Sequence, residues 1–297
     1  MPPFWTPNIR NDERQQAEDI AAAYPSLFLK AQQLARTINT GLHGRRKHGK
    51  GEDFWQFKPY TQSDSAARID WRQTAKRGDA HVRQNELETT ESIWFWIDKS
   101  PSMAYRSHLS ETPKRENITI ALLAMAILLN RGEEDFAILT NGMKAAHGNH
   151  HLDGFSRQLS TPAPSDFSDD MASTRLPEKS RLLVASDFLS PPEALEKTLG
   201  IATAKGVTGI LLHVADPAEV TLPFTGRTRF ADISEQVEIT LGRPENIQQE
   251  YQTLFNTHQQ AIETIAKNAG WSYIFHQSDQ SLIHLLTVLY RHLHGRG

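Results

Sequence analysis

The chain has 297 residues, a net charge of −3 and an isoelectric point near 6.5, so its composition does not indicate binding to nucleic acid or to an anionic membrane. It contains no cysteine, which excludes disulfides, zinc–thiolate sites and cysteine nucleophiles. It has no run of about 18 apolar residues, and its N-terminus lacks the layout of a secretory signal. We therefore expect a soluble, cytoplasmic protein with no transmembrane segment.

The first 91 residues divide into two predicted parts. Residues 1–40 form a polar arm and then a helix, because apolar side chains recur at helical spacing after Pro25. Residues 41–91 form a small β-rich appendage with strands at Phe54–Tyr60 and Ala80–Gln84. A glycine-rich basic loop at 41–51 opens this appendage, and it is either solvated or in contact with an anion or acidic partner.

Residues 92–297 alternate between strand and helix patterns, which predicts a single α/β domain. The predicted strands are Ile93–Ile97, Phe136–Thr140, Arg181–Ala185, Val207–Val214 and Trp271–His276. The predicted helices are Arg115–Asn130, Leu152–Leu159, a short helix starting near Ser165, Pro191–Lys205, Asn246–Asn268 and Gln280–His294. Arg227–Leu241 is typical of a hairpin or edge pair. The alternation predicts a doubly wound, mostly parallel sheet with helices on both faces.

Acidic and hydroxyl side chains follow two of the predicted buried strands. The first strand is followed by Asp98, Ser100 and Ser102, and the third is followed by Ser186 and Asp187. The carboxyl ends of parallel strands meet at one edge of a sheet, where ligands bind, and neighbouring strands lie about 5 Å apart. We therefore expect the two turns to lie close together.

The residue types in these turns favour a divalent cation. Carboxylate and hydroxyl oxygens are hard ligands that suit Mg²⁺, and two carboxylates at one edge repel each other unless a cation lies between them. The alternative is that the turn only connects a strand to a helix and that its serines cap this helix.

Two stretches resemble known families. The sequence Asp98-Lys99-Ser100-Pro101-Ser102 resembles the first loop of the metal-ion-dependent adhesion site of von Willebrand factor A domains. The upstream block resembles the signature of the DUF58 family, whose members place it directly before an A-type domain. The matching residues are Gly41-Leu42-His43, Gly49-Lys50-Gly51, Phe54, Tyr60, Asp64, Arg68-Ile69-Asp70-Trp71-Arg72, Ala75, Val82-Arg83 and Glu86-Leu87-Glu88.

The resemblance implies a von Willebrand factor A-like domain that binds Mg²⁺, with Mn²⁺ or Ca²⁺ as alternative ions. Asp98, Ser100 and Ser102 would be first-loop ligands, and Asp187 would be the third-loop carboxylate. The sequence departs from the pattern at the second-loop threonine, for which Thr161 and Ser165 are candidates and Ser165 is preferred. An ion in such a site keeps one coordination position for a carboxylate of a partner protein. The partner is then recognised through the bridging metal, and no covalent bond is broken.

The resemblance also implies a partner. Family members are commonly associated with MoxR-type AAA+ ATPases, so the expected function is that of a non-catalytic adaptor for such an ATPase and a client protein in assembly or chaperone work. A peripheral association with membrane partners is left open. The signature residues Arg68, Asp70, Trp71 and Arg72 either bind this partner or lock the appendage onto the main domain.

Other chemistries are less favoured by the sequence. A metal-dependent hydrolase using Asp98 and Asp187 is the alternative function, but the sequence shows no further acidic or histidine ligand for it. DNA binding by the basic loop would use Arg45, Arg46, Lys47 and Lys50. The histidines at 147, 150 and 151 are interpreted as a surface cluster, and those at 292 and 294 as solvent-facing.

Overall fold

The computed structural model describes residues 29–37, 54–59, 81–85, 92–140, 143–161, 166–177, 180–231 and 238–294. The chain divides into two compact units. The smaller is Gly44–Thr90, and the larger combines Met1–His43 with Glu91–Gly297.

The described elements follow the order expected of an α/β protein. The strands are β1 Phe54–Pro59, β2 His81–Asn85, β3 Ile93–Ile97, β4 Phe136–Ile138, β5 Arg181–Ser186, β6 Thr208–Ala215, β7 Thr228–Ala231, β8 Glu238–Leu241 and β9 Ser272–Gln277. The helices are α1 at 29–37, α2 Lys114–Arg131, α3 Asn149–Ser160, α4 Phe167–Ser173, α5 Pro192–Ala204, α6 Pro217–Thr221, α7 Gln248–Asn268 and α8 Leu282–His294. Short 3₁₀ turns lie at Pro101–Ala104 and Pro244–Ile247.

In the smaller unit, β1 and β2 pair antiparallel, with an irregularity in register between Phe54 and Gln56. The two strands predicted in this unit are therefore confirmed within a residue or two at each end. Residues 60–80 and the basic loop lie outside the described residues. Residues 60–80 include the signature residues Arg68, Asp70, Trp71 and Arg72.

The larger unit contains a parallel five-stranded sheet in the order β4-β3-β5-β6-β9. From β3 the chain moves outward through α2 to β4, whereas from β5 it moves in the opposite direction through α5 to β6. The strand order thus reverses between β3 and β5, whose last aligned pair is Ile97 opposite Ala185. In open α/β sheets the crevice at such a reversal is where ligands bind.

Helices cover both faces of this sheet, and the side chains of β3 alternate between two apolar clusters, one on each face. Phe95 packs on one face with α1, α2, α3 and α8. Trp94 and Trp96 pack on the other face with parts of α4, α5 and α7. A strand buried on both sides reads as a continuous apolar run, which is why Ile93–Ile97 could be predicted from its composition. The expected α/β sheet with helices on both faces is confirmed.

The structure adjusts some predicted element boundaries. β4 ends at Ile138 rather than at Thr140, because its pairing with β3 spans only three residues. The helix expected near Ser165 begins at Phe167, since the Asp166 side chain accepts hydrogen bonds from the amides of Ser168 and Asp169 and so caps it. The predicted hairpin is present as the antiparallel pair β7–β8. Within the described ranges, no helix is long and apolar enough to cross a membrane.

Candidate functional site

The turn after β3 gathers one carboxylate and two hydroxyls. Asp98 Oδ1 accepts a hydrogen bond from the Ser100 amide at 2.7 Å, and the hydroxyls of Ser100 and Ser102 lie 2.9 Å apart. Asp98, Ser100 and Ser102 are all partly exposed. A carboxylate that accepts a bond from the amide two residues on closes a tight Asx turn, which fixes the direction of these side chains.

The structure does not show the alternative in which these serines cap the next helix. Ser100 precedes the 3₁₀ turn at Pro101–Ala104, but its side chain makes no capping hydrogen bond there. The next helix, α2, is preceded by Pro113, which has no side-chain acceptor. The two hydroxyls therefore remain directed at each other beside Asp98.

The turn after β5 lies against the Asp98 turn, as expected. The Asp98 amide donates to the Ala185 carbonyl at 2.8 Å, and the Ser186 hydroxyl donates to Asp98 Oδ2 at 2.6 Å. Directly after Asp187, the backbone of Phe188 is left-handed with φ of 46°. This conformation costs a non-glycine residue about 1 kcal/mol, and the hydrogen bond from the Phe188 amide to the Ser186 hydroxyl helps to hold it.

Asp187 already has a cationic partner. The ammonium of Lys114, the first residue of α2, donates to Asp187 Oδ2 at 2.9 Å and to Glu219 Oε1 at 2.6 Å. The Lys114 side chain is fully buried, and that of Asp187 is 5% exposed. The expectation that Asp187 ligates the same ion as Asp98 remains a prediction, and in this structure its carboxylate is neutralised by a lysine.

A third acidic turn, after β6, completes this edge of the sheet. Asp216 is fully buried and accepts hydrogen bonds from the amides of Ser107 and Ala218. It forms a capping box with Glu219, whose Oε2 accepts the Asp216 amide at 2.7 Å. Burial raises the pKa of Glu219 from its ordinary value, and Lys114 opposes that shift.

Two further ionisable groups border the site. Lys99 donates to the carbonyl of Gln158 near the end of α3, and burial together with Arg115 lowers its pKa to about 8. His213 lies on β6, with its ring edge-on to Phe188 and its Nδ1 2.7 Å from the Tyr273 hydroxyl. Burial, with a smaller effect of His258, lowers the pKa of His213 to about 4, so the ring is neutral near pH 7.

The Asp98 turn has the donor chemistry that Mg²⁺ requires. Neighbouring ligands about 2.1 Å from an octahedral ion are about 3 Å apart, close to the separation of the two serine hydroxyls, 2.9 Å. Each oxygen of Asp98 accepts one described hydrogen bond, and a carboxylate oxygen can accept two. Asp98, Ser100 and Ser102 are thus the residues that would hold the ion. Among the described residues, no group of three or more histidine, aspartate or glutamate side chains is arranged to hold a metal.

The structure also bears on Thr161, the other second-loop candidate, and on one of the histidines. Ser165 lies outside the described residues, and Thr161, the other candidate, donates to the Arg157 carbonyl of its own helix. The prediction that His294 faces solvent is wrong, because the ring bonds Glu134 and stacks on Tyr290. Hydrogen bonding and charge from Glu134 raise its pKa, although burial acts in the opposite direction.

Sequence reasoning missed three residues of this edge. Asp216 and Glu219 carried a usable signal, because they follow a buried strand just as Asp98 and Asp187 do. Lys114 carried none, since a lysine in the first turn of a helix is usually solvated.

Comparison with known proteins identifies the family. The family model described as "Protein of unknown function DUF58" matches residues 56–261. Uncharacterized proteins of Mycobacterium tuberculosis and Mycobacterium bovis are each 28% identical over 233 residues, which cover 73% of this chain and 72% of theirs.

Two solved structures are also similar. An aerotolerance-related membrane protein from Bacteroides fragilis has a TM-score of 0.43 at 13% identity, with 68% of this chain and 97% of that chain covered. The conserved hypothetical protein BatB from Bacteroides thetaiotaomicron has a TM-score of 0.40 at 14% identity, with 68% and 98% covered. Because the family model matches more than half of the sequence, this chain belongs to the DUF58 family.

Proposed function

We propose that the protein is a non-catalytic binding module that captures a partner protein through a divalent cation, Mg²⁺ in the first instance, held by Asp98, Ser100 and Ser102. The carrying observation is the convergence of one carboxylate and two hydroxyls on a partly exposed turn. The turn lies at the strand-order reversal between β3 and β5, where open α/β sheets bind ligands. A cation with few protein ligands keeps positions for water or for a partner carboxylate.

The proposed partner is a MoxR-type AAA+ ATPase, with an unidentified client protein. Membership of the DUF58 family supports this partner, because members of that family are commonly associated with such ATPases. We also propose that the domain is von Willebrand factor A-like, because the Asp98–Ser102 segment resembles the first loop of that domain's adhesion site.

The test is affinity capture of lysate proteins by the 297-residue chain, with Mg²⁺ and with EDTA, read by mass spectrometry. We expect an AAA+ ATPase in the Mg²⁺ sample only, and we expect Asp98→Ala to lose it while circular dichroism shows an intact fold. Asp153→Ala removes an exposed carboxylate from α3 and serves as the matched control. Equal recovery of the ATPase with EDTA, or by Asp98→Ala, would contradict the proposal.

The hydrolase alternative is less well supported. It requires Asp187 to hold a cation together with Asp98, whereas Asp187 is paired with Lys114. A screen against phosphate mono- and diesters with Mg²⁺ and Mn²⁺ separates the two functions. Turnover that Asp98→Ala abolishes would favour the hydrolase, and its absence leaves the binding module as the better account.

A further inference from the structure

The cation that this edge of the sheet already holds is the ammonium of Lys114. The side chain has no exposed surface, and it contacts two carboxylates that are themselves largely buried. A buried ammonium is costly unless it is paired and hydrogen-bonded, and the same holds for a buried carboxylate. Asp187 and Glu219 therefore depend on Lys114 as much as it depends on them.

The ammonium joins three separate corners of the fold. Lys114 begins α2, Asp187 follows β5, and Glu219 lies in α6 after β6. Glu219 is fixed from a second side, because its Oε2 accepts the Asp216 amide. Its backbone carbonyl also accepts the Tyr251 hydroxyl at 2.6 Å. A group held from several sides does not turn toward a new partner without breaking these contacts.

We infer that Lys114 is the permanent counter-ion of Asp187 and Glu219, and that it limits a divalent ion at this edge to one protein carboxylate, that of Asp98. An ion shared with Asp187 would either displace the ammonium from Oδ2 or lie beside it on the same carboxylate. In the first case the ammonium would stay buried with Glu219 as its carboxylate partner, and in the second the two positive charges of the ion would repel it. Both effects oppose the sharing, so Lys114 keeps the affinity for Mg²⁺ low and leaves the ion's other positions for outside ligands.

This inference rests on the proposed function only where it concerns the metal. The counter-ion role is independent of any metal and is visible in folding stability. The two parts are therefore measured separately on the 297-residue chain. The metal part is measured by Mn²⁺ binding, followed by electron paramagnetic resonance, and the counter-ion part by urea unfolding in EDTA.

For metal binding, we expect Asp187→Asn to change the affinity for Mn²⁺ less than twofold, whereas Asp98→Asn abolishes binding. We expect Lys114→Met, which keeps the length of the side chain but removes its charge, to bind Mn²⁺ about tenfold more tightly, because Asp187 becomes available as a ligand. Lys114→Arg keeps the charge and should bind like the wild type. Loss of binding in Asp187→Asn equal to that in Asp98→Asn would overturn the inference.

For stability, we expect Lys114→Met and Asp187→Asn to be strongly non-additive in EDTA. The double variant should be less destabilised than the sum of the two single variants, since it leaves no unpaired charge on either residue. Additive losses would show that the pair is not a counter-ion pair.

If the wild type binds no divalent ion, the proposed function fails, and the stability cycle of Lys114→Met and Asp187→Asn still decides the role of Lys114. If Lys114→Met does not fold, the Asp187→Asn and Lys114→Arg measurements remain decisive.

Discussion

At the scale of single residues, three carboxylates at this edge of the sheet, those of Asp98, Asp216 and Glu219, accept hydrogen bonds from backbone amides. Asp216 is the clearest case, because it has no exposed surface and both of its oxygens accept an amide, one from Ser107 and one from Ala218. It thereby ties the loop that follows the Asp98 turn to the start of α6. Backbone amides hold the other two carboxylates in the same way, that of Asp98 through the Ser100 amide and that of Glu219 through the Asp216 amide.

We predict that Asp216→Ala lowers the free energy of unfolding by about 3 kcal/mol, because it leaves two buried amides without acceptors and removes a helix cap. Urea unfolding followed by tryptophan fluorescence measures the loss. Asp166→Ala is the matched control, since Asp166 also accepts two amides at a helix start but is exposed. Its loss should be about 1 kcal/mol. Equal losses in the two variants would show that burial does not decide the cost.

At the scale of secondary-structure elements, the close approach of β5, β6 and Trp271 depends on a glycine. A Cβ added at Gly209 in β6 would lie 2.0 Å from the Leu182 carbonyl oxygen and 2.8 Å from the Trp271 ring. Backbone atoms of a central strand cannot move aside without disturbing the parallel pairing of β5 with β6. This position therefore admits no side chain.

We predict that Gly209→Ala destabilises the protein by more than about 3 kcal/mol or prevents its soluble expression, because overpacking against backbone cannot relax. Gly200→Ala is the control: Gly200 is exposed in α5, and nothing lies within 4 Å of an added Cβ. There, alanine should stabilise by about 0.5–1 kcal/mol through its helix propensity. Thermal unfolding of the two variants checks the prediction, which fails if Gly209→Ala melts like the wild type.

The elements also show how far sequence can carry a structural prediction. β3 and β5 could be predicted because buried parallel strands are continuous apolar runs, and their polar ends then placed Asp98 beside Ser186. The burial of Lys114 could not be predicted from the sequence, because it depends on carboxylates that lie 73 and 105 residues further along the chain. Local patterns report periodicity and capping, whereas an ion pair between distant corners follows only from the assembled sheet.

At the scale of the whole molecule, two neutral histidines make the larger unit sensitive to acid. Burial lowers the pKa of both His213 and His276 to about 4. His276 Nε2 lies 3.1 Å from Asn117 Oδ1, and the Asn117 amide nitrogen donates to the Ser278 carbonyl, so His276 must be the donor in the first contact. The pKa of His294 is shifted in the opposite direction, since Glu134 raises it.

The sign of the pH effect follows from proton binding. Between the native pKa of about 4 and the unfolded value of about 6.5, the unfolded chain binds one more proton at His276 than the native chain does. The contribution of His276 to stability is therefore complete above about pH 6.5 and is lost progressively as the pH falls toward 4.

We predict that the free energy of unfolding of the wild type falls between pH 7 and pH 5, and that His276→Gln loses about 1–2 kcal/mol less over this range. Glutamine can still donate to Asn117 but does not titrate, and every other ionisable group is common to both proteins, so the difference isolates His276. Urea unfolding at the two pH values measures it. Parallel stability profiles for the two proteins would show that His276 is not the buried neutral group that its surroundings indicate.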